Sequence, residues 1–231
     1  MSKELYEQQA EAIEAIPNAV KPNIPISVAL QEAEELHIWV QPDQAALEQV
    51  GLQWTLVQEL PRRAAACRYI ETLWQSHLST ASDAEKEWKQ KRSTASQLSI
   101  DLTRALRFAF RGKPNFLGRL KPMSGYLRHE ALIDYYYNIG SLATEHIELL
   151  RSVGFDVTRL DGACDDAEHL SRLLAQVRTE QREQYLLRDQ RNKAYTYLKL
   201  AVDEVRRCGK FAFAQQPDRL KGYASSYWRK R

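Results

Sequence analysis

The densest run of chemistry-bearing side chains is Arg219-Leu220-Lys221-Gly222-Tyr223-Ala224-Ser225-Ser226-Tyr227-Trp228-Arg229-Lys230-Arg231. Cations at Arg219, Lys221, Arg229, Lys230 and Arg231 stand among the rings of Tyr223, Tyr227 and Trp228. Positive charge attracts phosphate through counterion release, and exposed rings stack on bases. An acidic protein surface suits the same pattern. The plain alternative is an aromatic segment folded back on its own domain with its charges in water. These eight ring and cation residues are the candidate interaction site.

A carboxylate-bridged pair of metals is the sharpest enzymatic expectation. It needs Glu from two helices and a Glu-x-x-His pair from each of two others. The sequence offers Glu34-x-x-His37 and a looser Asp166-x-x-His169, with Glu71, Glu145, His146 and Glu148 on other predicted helices. Glu34 sits beside Glu32 and Glu35, as on a solvated face, so no metal or other cofactor is expected. His129-Glu130 and Glu145-His146 have no third partner nearby, and no Ser or Cys occupies a Gly-flanked turn. The phosphate-cradling patterns GxxxxGK[ST] and GxGxxG are absent.

Composition narrows the setting. Cys67, Cys164 and Cys208 are odd in number and widely spaced, which points to reduced thiols and a cytoplasmic compartment. The opening MSKELYEQQAEAIEAI is acidic and has no apolar core, so no signal peptide is expected. No run of about 18 apolar residues occurs, so a soluble protein without membrane contact is expected. The net charge of +3 is unevenly spread. Residues 1–60 balance at −8 and residues 206–231 at +7.

The elements that must position these groups come from a sequence written twice. A shift of 103 residues lays Leu47-Glu48-Gln49-Val50-Gly51-Leu52 over Leu150-Arg151-Ser152-Val153-Gly154-Phe155. The same shift lays Arg107-Phe108-Ala109-Phe110 over Lys210-Phe211-Ala212-Phe213, and Pro114 over Pro217. Apolar residues agree between these landmarks: Leu36 with Ile139, Cys67 with Leu170, Ile70 with Leu173, Leu102 with Val205. The glutamate-histidine pairs do not coincide under the shift, which weighs against a duplicated metal centre. Two landmarks in one register point to tandem duplication.

Each copy reads as helices. The opening stripe is Val28, Ala29, Ala33, Leu36 and Val40 in the first, and Leu127, Ala131, Tyr135, Leu142, His146 and Leu149 in the second. Asp43 is placed to cap a short helix, Gly51 and Gly154 to end one, and Pro61 to begin the next. Ser79-Thr80-Ala81-Ser82-Asp83 predicts a turn between two helices. Residues 182–186 hold no breaker, but a hairpin is preferred there too because it buries both apolar stripes. Gly112 and Gly209 each mark a helix end before a proline. Of the two phenylalanines in each Phe-Ala-Phe element, about 200° apart on a helix, one enters the bundle and the other covers the proline-bearing loop.

The expected fold is therefore all-α, an up-and-down bundle with pseudo-two-fold symmetry. An N-terminal arm occupies 1–25, repeat 1 residues 26–121, repeat 2 residues 122–221 packed with it as one domain, and a basic aromatic tail 222–231. The expected function is a non-enzymatic interaction or assembly protein with a protein partner or self-association. Nucleic-acid binding through the tail is the first alternative and a di-metal bundle enzyme the second.

Overall fold

Apolar residues recur at spacings of three and four along most of the chain, and the computed structural model turns those stripes into α-helices. It describes residues 2–79, 83–117, 120 and 128–229. In chain order the helices are α1 (Ser2–Glu14), α2 (Ile26–Trp39), α3 (Gln44–Gln49), α4 (Trp54–Ser79), α5 (Asp83–Ala109) and α6 (Pro114–Leu117). Then follow α7 (His129–Glu145), α8 (Ile147–Ser152), α9 (Ala163–Ala212), α10 (Pro217–Leu220) and α11 (Ser226–Arg229). Short 3₁₀ turns cover Gln41–Asp43, Val157–Leu160 and Lys221–Tyr223. The fold is all-α, with no strand among the described residues. No described helix is long and apolar enough to cross a membrane.

The chain forms two compact units that interleave in sequence. Unit 1 is Met1–Thr80 with Glu183–Arg231, and unit 2 is Ala81–Arg182. Unit 1 buries Ile26, Leu30, Ala33 and Leu36 of α2 against Leu60, Ala64 and Cys67 of α4 and Leu198, Ala201 and Val205 of α9. Its N-terminal segment is docked. Ile13 is buried, the Tyr6 ring meets Tyr69, and Val20 donates its N–H to Thr196 Oγ1 at 2.9 Å. Unit 2 buries Leu98, Leu102 and Leu106 of α5 against Tyr136, Ile139 and Ala143 of α7 and Ala167, Leu170 and Leu174 of α9.

Several elements recur 103 residues along: α3 with α8, α6 with α10, the first residues of α2 and α7, the last of α5 and α9. The ends of α3 and α8 match bond for bond. Leu52 donates its N–H to the Leu47 carbonyl and Gly51 to that of Glu48, both at 3.0 Å. Phe155 donates to Leu150 and Gly154 to Arg151, again at 3.0 Å. Such a helix ending needs a left-handed residue, and Gly51 (φ 88°) and Gly154 (φ 76°) supply it.

Four local expectations change. Residues 163–212 form a single helix of 50 residues rather than a hairpin. Arg182-Glu183-Gln184-Tyr185-Leu186 contains neither Gly nor Pro, so nothing interrupts the backbone ladder there. The turn expected in the first copy falls on residues 80–82, outside the described residues. The buried stripe of α7 is Leu132, Tyr136, Ile139 and Ala143, rotated by one residue from the predicted Ala131, Tyr135 and Leu142, while the predicted Leu127 lies outside the described residues.

Pro61 lies inside α4 rather than at its start. Proline has no N–H, so the Val57 carbonyl four residues earlier has no helical donor. His37 Nδ1 donates to that carbonyl instead, at 3.0 Å. Gly209 is likewise interior to α9. A Cβ there would lie 2.0 Å from the Tyr223 ring, so the glycine is a seat for that ring and not a helix end.

Candidate functional site

The candidate tail begins with Arg219, and most of its chemistry is spent within unit 1. Arg219 Nε donates to both carboxylate oxygens of Asp43, at 2.9 and 2.7 Å, and its Nη2 to the Trp39 carbonyl at 2.6 Å. The guanidinium also lies 4.3 Å from the Trp39 ring centroid, a cation–π stack. Tyr223 is 0% exposed, donates its hydroxyl to Asp43, and stacks on Phe213 at 5.6 Å. Burial, then the bond to Asp43 and its charge, push the Tyr223 phenol up from its ordinary value. Asp43 does not cap α3 with its side chain. Its carboxylate anchors the tail.

Glu32 makes a second anchor. It is 5% exposed on the inner face of α2. Its Oε1 accepts from the Ser225 hydroxyl (2.8 Å), the Ser226 hydroxyl (3.0 Å) and the Tyr227 N–H (3.0 Å). Its Oε2 accepts from Arg206 at 2.9 Å. Burial alone raises its carboxyl pKa, but the Tyr227 N–H, Arg206 and Ser225 together outweigh that and hold it at about 2. The acidic head and basic tail are thus joined inside one chain at Asp43–Arg219 and Glu32–Arg206.

Of the other tail residues, Lys221 pairs with Asp218 at 2.9 Å on the surface. Tyr227 meets Trp228 edge to face at 5.1 Å. Trp228 keeps 51% of its surface exposed. Arg229 closes α11, and Lys230 and Arg231 lie outside the described residues. The sequence therefore selected one segment whose members divide into anchors (Arg219, Tyr223) and an exposed ring (Trp228).

The residues around that ring lie mainly on α9 and were not selected from sequence. Lys199, Arg206, Arg207 and Lys210 line a cleft of about 470 Å³ together with Trp228 and Ser225. The spacing of Lys199, Arg206 and Lys210 along α9 was a signal, since these three share one helix face with Asp203.

The Phe-Ala-Phe elements place one ring inside and one outside in each unit. Phe110 is buried and stacks on Phe116 at 4.7 Å, while Phe213 is buried under Tyr223. Phe108 and Phe211 do not cover a loop; they are 58% and 76% exposed.

The residues considered for metal binding are engaged separately. Glu34 accepts from Arg68 (2.6 Å), Glu71 from Arg191 (2.6 Å), Asp166 from Lys91 (2.9 Å), and His169 meets Glu87 at 2.7 Å. His37 serves the Val57 carbonyl, and His146 packs on Phe110 and Phe116. Among the described residues no three His, Cys, Asp or Glu side chains are grouped to hold a metal ion.

No protein family, curated protein or solved structure matches this chain.

Proposed function

We propose that the chain is a non-enzymatic assembly protein, made by tandem duplication of a unit of about 100 residues whose halves have exchanged partners. Three features support the duplication: element bounds that recur at one offset, identical helix-ending bonds at Gly51 and Gly154, and shared burial at Leu47 and Leu150 or Leu102 and Val205. The exchange follows from the composition of the units. Unit 1 joins the front of repeat 1 to the back of repeat 2, and unit 2 joins the back of repeat 1 to the front of repeat 2. Pseudo-two-fold symmetry would follow from such a reciprocal arrangement.

The observation that carries the assembly reading is the pair Phe108 and Phe211. Each is an exposed phenylalanine at the same repeat position, preceded by a cation, Arg107 or Lys210. Two equivalent docking points on one chain allow contacts between copies to propagate into a ring or filament. A second copy also offers complementary charge. Glu11, Glu35 and Glu48 are exposed and have no cationic partner among the described residues. A cytoplasmic setting belongs to the same proposal, supported by three cysteines of which none is in a disulfide.

Light scattering on the full chain tests this. The expected result is a mass above the 26.7 kDa of one chain that rises with protein concentration and falls at high salt. Phe108→Ser and Phe211→Ser should each weaken association roughly 10- to 100-fold, the effect of exposing a ring that docking buries. A mass of one chain at every concentration and salt overturns the reading. Deleting residues 219–231 is a poor substitute, because Tyr223 belongs to the core of unit 1.

Single-strand binding by the tail is the second reading, supported by the exposed Trp228 ring. A gel shift at low salt that Trp228→Ala abolishes would favour it, and no shift would remove it.

A further inference from the structure

The cleft beneath Trp228 holds more donor capacity than unit 1 uses. Its floor is apolar, formed by Leu198 and Val202 of α9, and its cations are Lys199, Arg206, Arg207 and Lys210. Two carboxylates, Glu32 and Asp203, share the lining, which leaves a positive excess. Lys199 pairs with Asp203, and Arg207 with Glu204 at 2.8 Å on the surface. Arg206 gives only its Nη2 to Glu32; its Nε is buried and finds no acceptor among the described residues. Lys210 is exposed and makes no ion pair among the described residues. A buried guanidinium N–H without an acceptor is costly and uncommon in a finished core.

The geometry points to a binding site for a nucleotide 5′-phosphate, with its base against Trp228 and its phosphate received by Lys210 and Arg206. The cleft volume of about 470 Å³ lies in the range of small-molecule sites and suits one nucleotide. A half-exposed indole offers a stacking face that accepts any base. Lys210, which has no ion pair among the described residues, and the Arg206 guanidinium in the same lining suit a dianionic phosphate. The exposed pair Arg207–Glu204 is weak enough for Arg207 to turn toward the same anion. The phosphate has two sources, a free nucleotide or the 5′ end of a single strand, and one chemistry serves both.

Calorimetric titration of the full chain with each nucleoside 5′-monophosphate, with inorganic phosphate, with the unphosphorylated nucleosides and with a 5′-phosphorylated single-stranded oligonucleotide tests the site. The monophosphates should bind at least tenfold more tightly than phosphate or nucleoside alone, because both halves of the site are then used. Lys210→Ala and Trp228→Phe should each weaken that binding, by roughly tenfold or more for the first, without a change in helical circular dichroism. Tighter binding of the oligonucleotide, with a steep salt dependence, identifies the strand end as the source; equal or weaker binding identifies the free nucleotide. No heat with any monophosphate at millimolar concentration overturns the proposal. So does binding that Lys210→Ala and Trp228→Phe leave unchanged. Phe108→Ser lies in unit 2 and tests the assembly reading alone, so either proposal can fail without the other.

Discussion

His37 and Pro61 form a donor–acceptor exchange that a double-mutant cycle can measure. Val57 is wholly buried, so its carbonyl has no access to water. Pro61 cannot donate to it from within α4, and His37 Nδ1 does so at 3.0 Å. A carbonyl only accepts, so the proton sits on Nδ1. Replacing His37 by Phe keeps the ring volume and removes the donor, leaving a buried acceptor unmatched at a cost of about 1–3 kcal/mol. Replacing Pro61 by Ala supplies a backbone N–H at the position where helix geometry directs it toward Val57.

The two changes should therefore be non-additive. In the Pro61→Ala background His37→Phe should cost about 1 kcal/mol less than in the parent chain, because the carbonyl keeps a donor. Urea unfolding at pH 7.5, followed by tryptophan emission, is suited to this, since Trp39, Trp54, Trp74 and Trp228 all lie in unit 1. Additivity within about 0.3 kcal/mol would refute the exchange. It would mean that His37 packs at this place without supplying the carbonyl's hydrogen bond.

Other perturbations reach the tail and the core. Glu32 titrates at about 2 when folded against an ordinary 4.5, so its contribution is complete above pH 4.5 and disappears as the pH falls toward 2. That difference is worth about 3 kcal/mol, and Glu32→Gln should flatten the acid limb of the stability curve; an unchanged slope between pH 4.5 and 2.5 would contradict it. Gly209→Ala should displace the Tyr223 ring and lower stability by about 1–3 kcal/mol, much less so when Tyr223 is already Leu. A full penalty in the Leu background would point to another obstacle. Burial and the nearby Glu71 charge push the Cys67 thiol up to about 12. In a native labelling time course at pH 8, Cys164 should react and Cys67 should not until urea is added; equal rates would show that Cys67 is open to solvent.

The all-α class and the positions that close each core were legible because helical spacing is local. Leu36, Ile70 and Leu102 lie on stripes that any packing of amphipathic helices must bury. Gly51 and Gly154 were legible for the same reason: their backbone state belongs to a six-residue motif. What was not legible depended on partners distant in sequence. Asp43 stands where a helix cap belongs, and only the return of residues 219–223 turns it into an anchor. Gly209 resembles a helix terminator until the Tyr223 ring is laid against it. The cleft cations on α9 have helical spacing but no motif, so the structure was needed to bring Trp228 to them.

Positions 103 residues apart carry unequal chemistry in the two units, and the difference explains why the candidate site belongs to unit 1. Under the 103-residue shift, position 43 falls on 146 and position 116 on 219. In unit 1 the pair is Asp43 with Arg219, an ion pair that grips the backbone before Tyr223. In unit 2 it is His146 with Phe116, an aromatic edge contact at 5.6 Å. Beyond them Tyr223 answers to Leu120, which is buried but offers no hydroxyl. Unit 2 thus closes its end with apolar packing, held by Phe110 stacked on Phe116, with the His146 ring edge-on to both. Unit 1 closes the same end with directional bonds, and those bonds fix where the following residues go. Ser225, Ser226 and Tyr227 reach Glu32 only because Tyr223 is already seated on Gly209 and Phe213. Trp228 is delivered to the rim of the cleft as the next residue in that sequence of anchors.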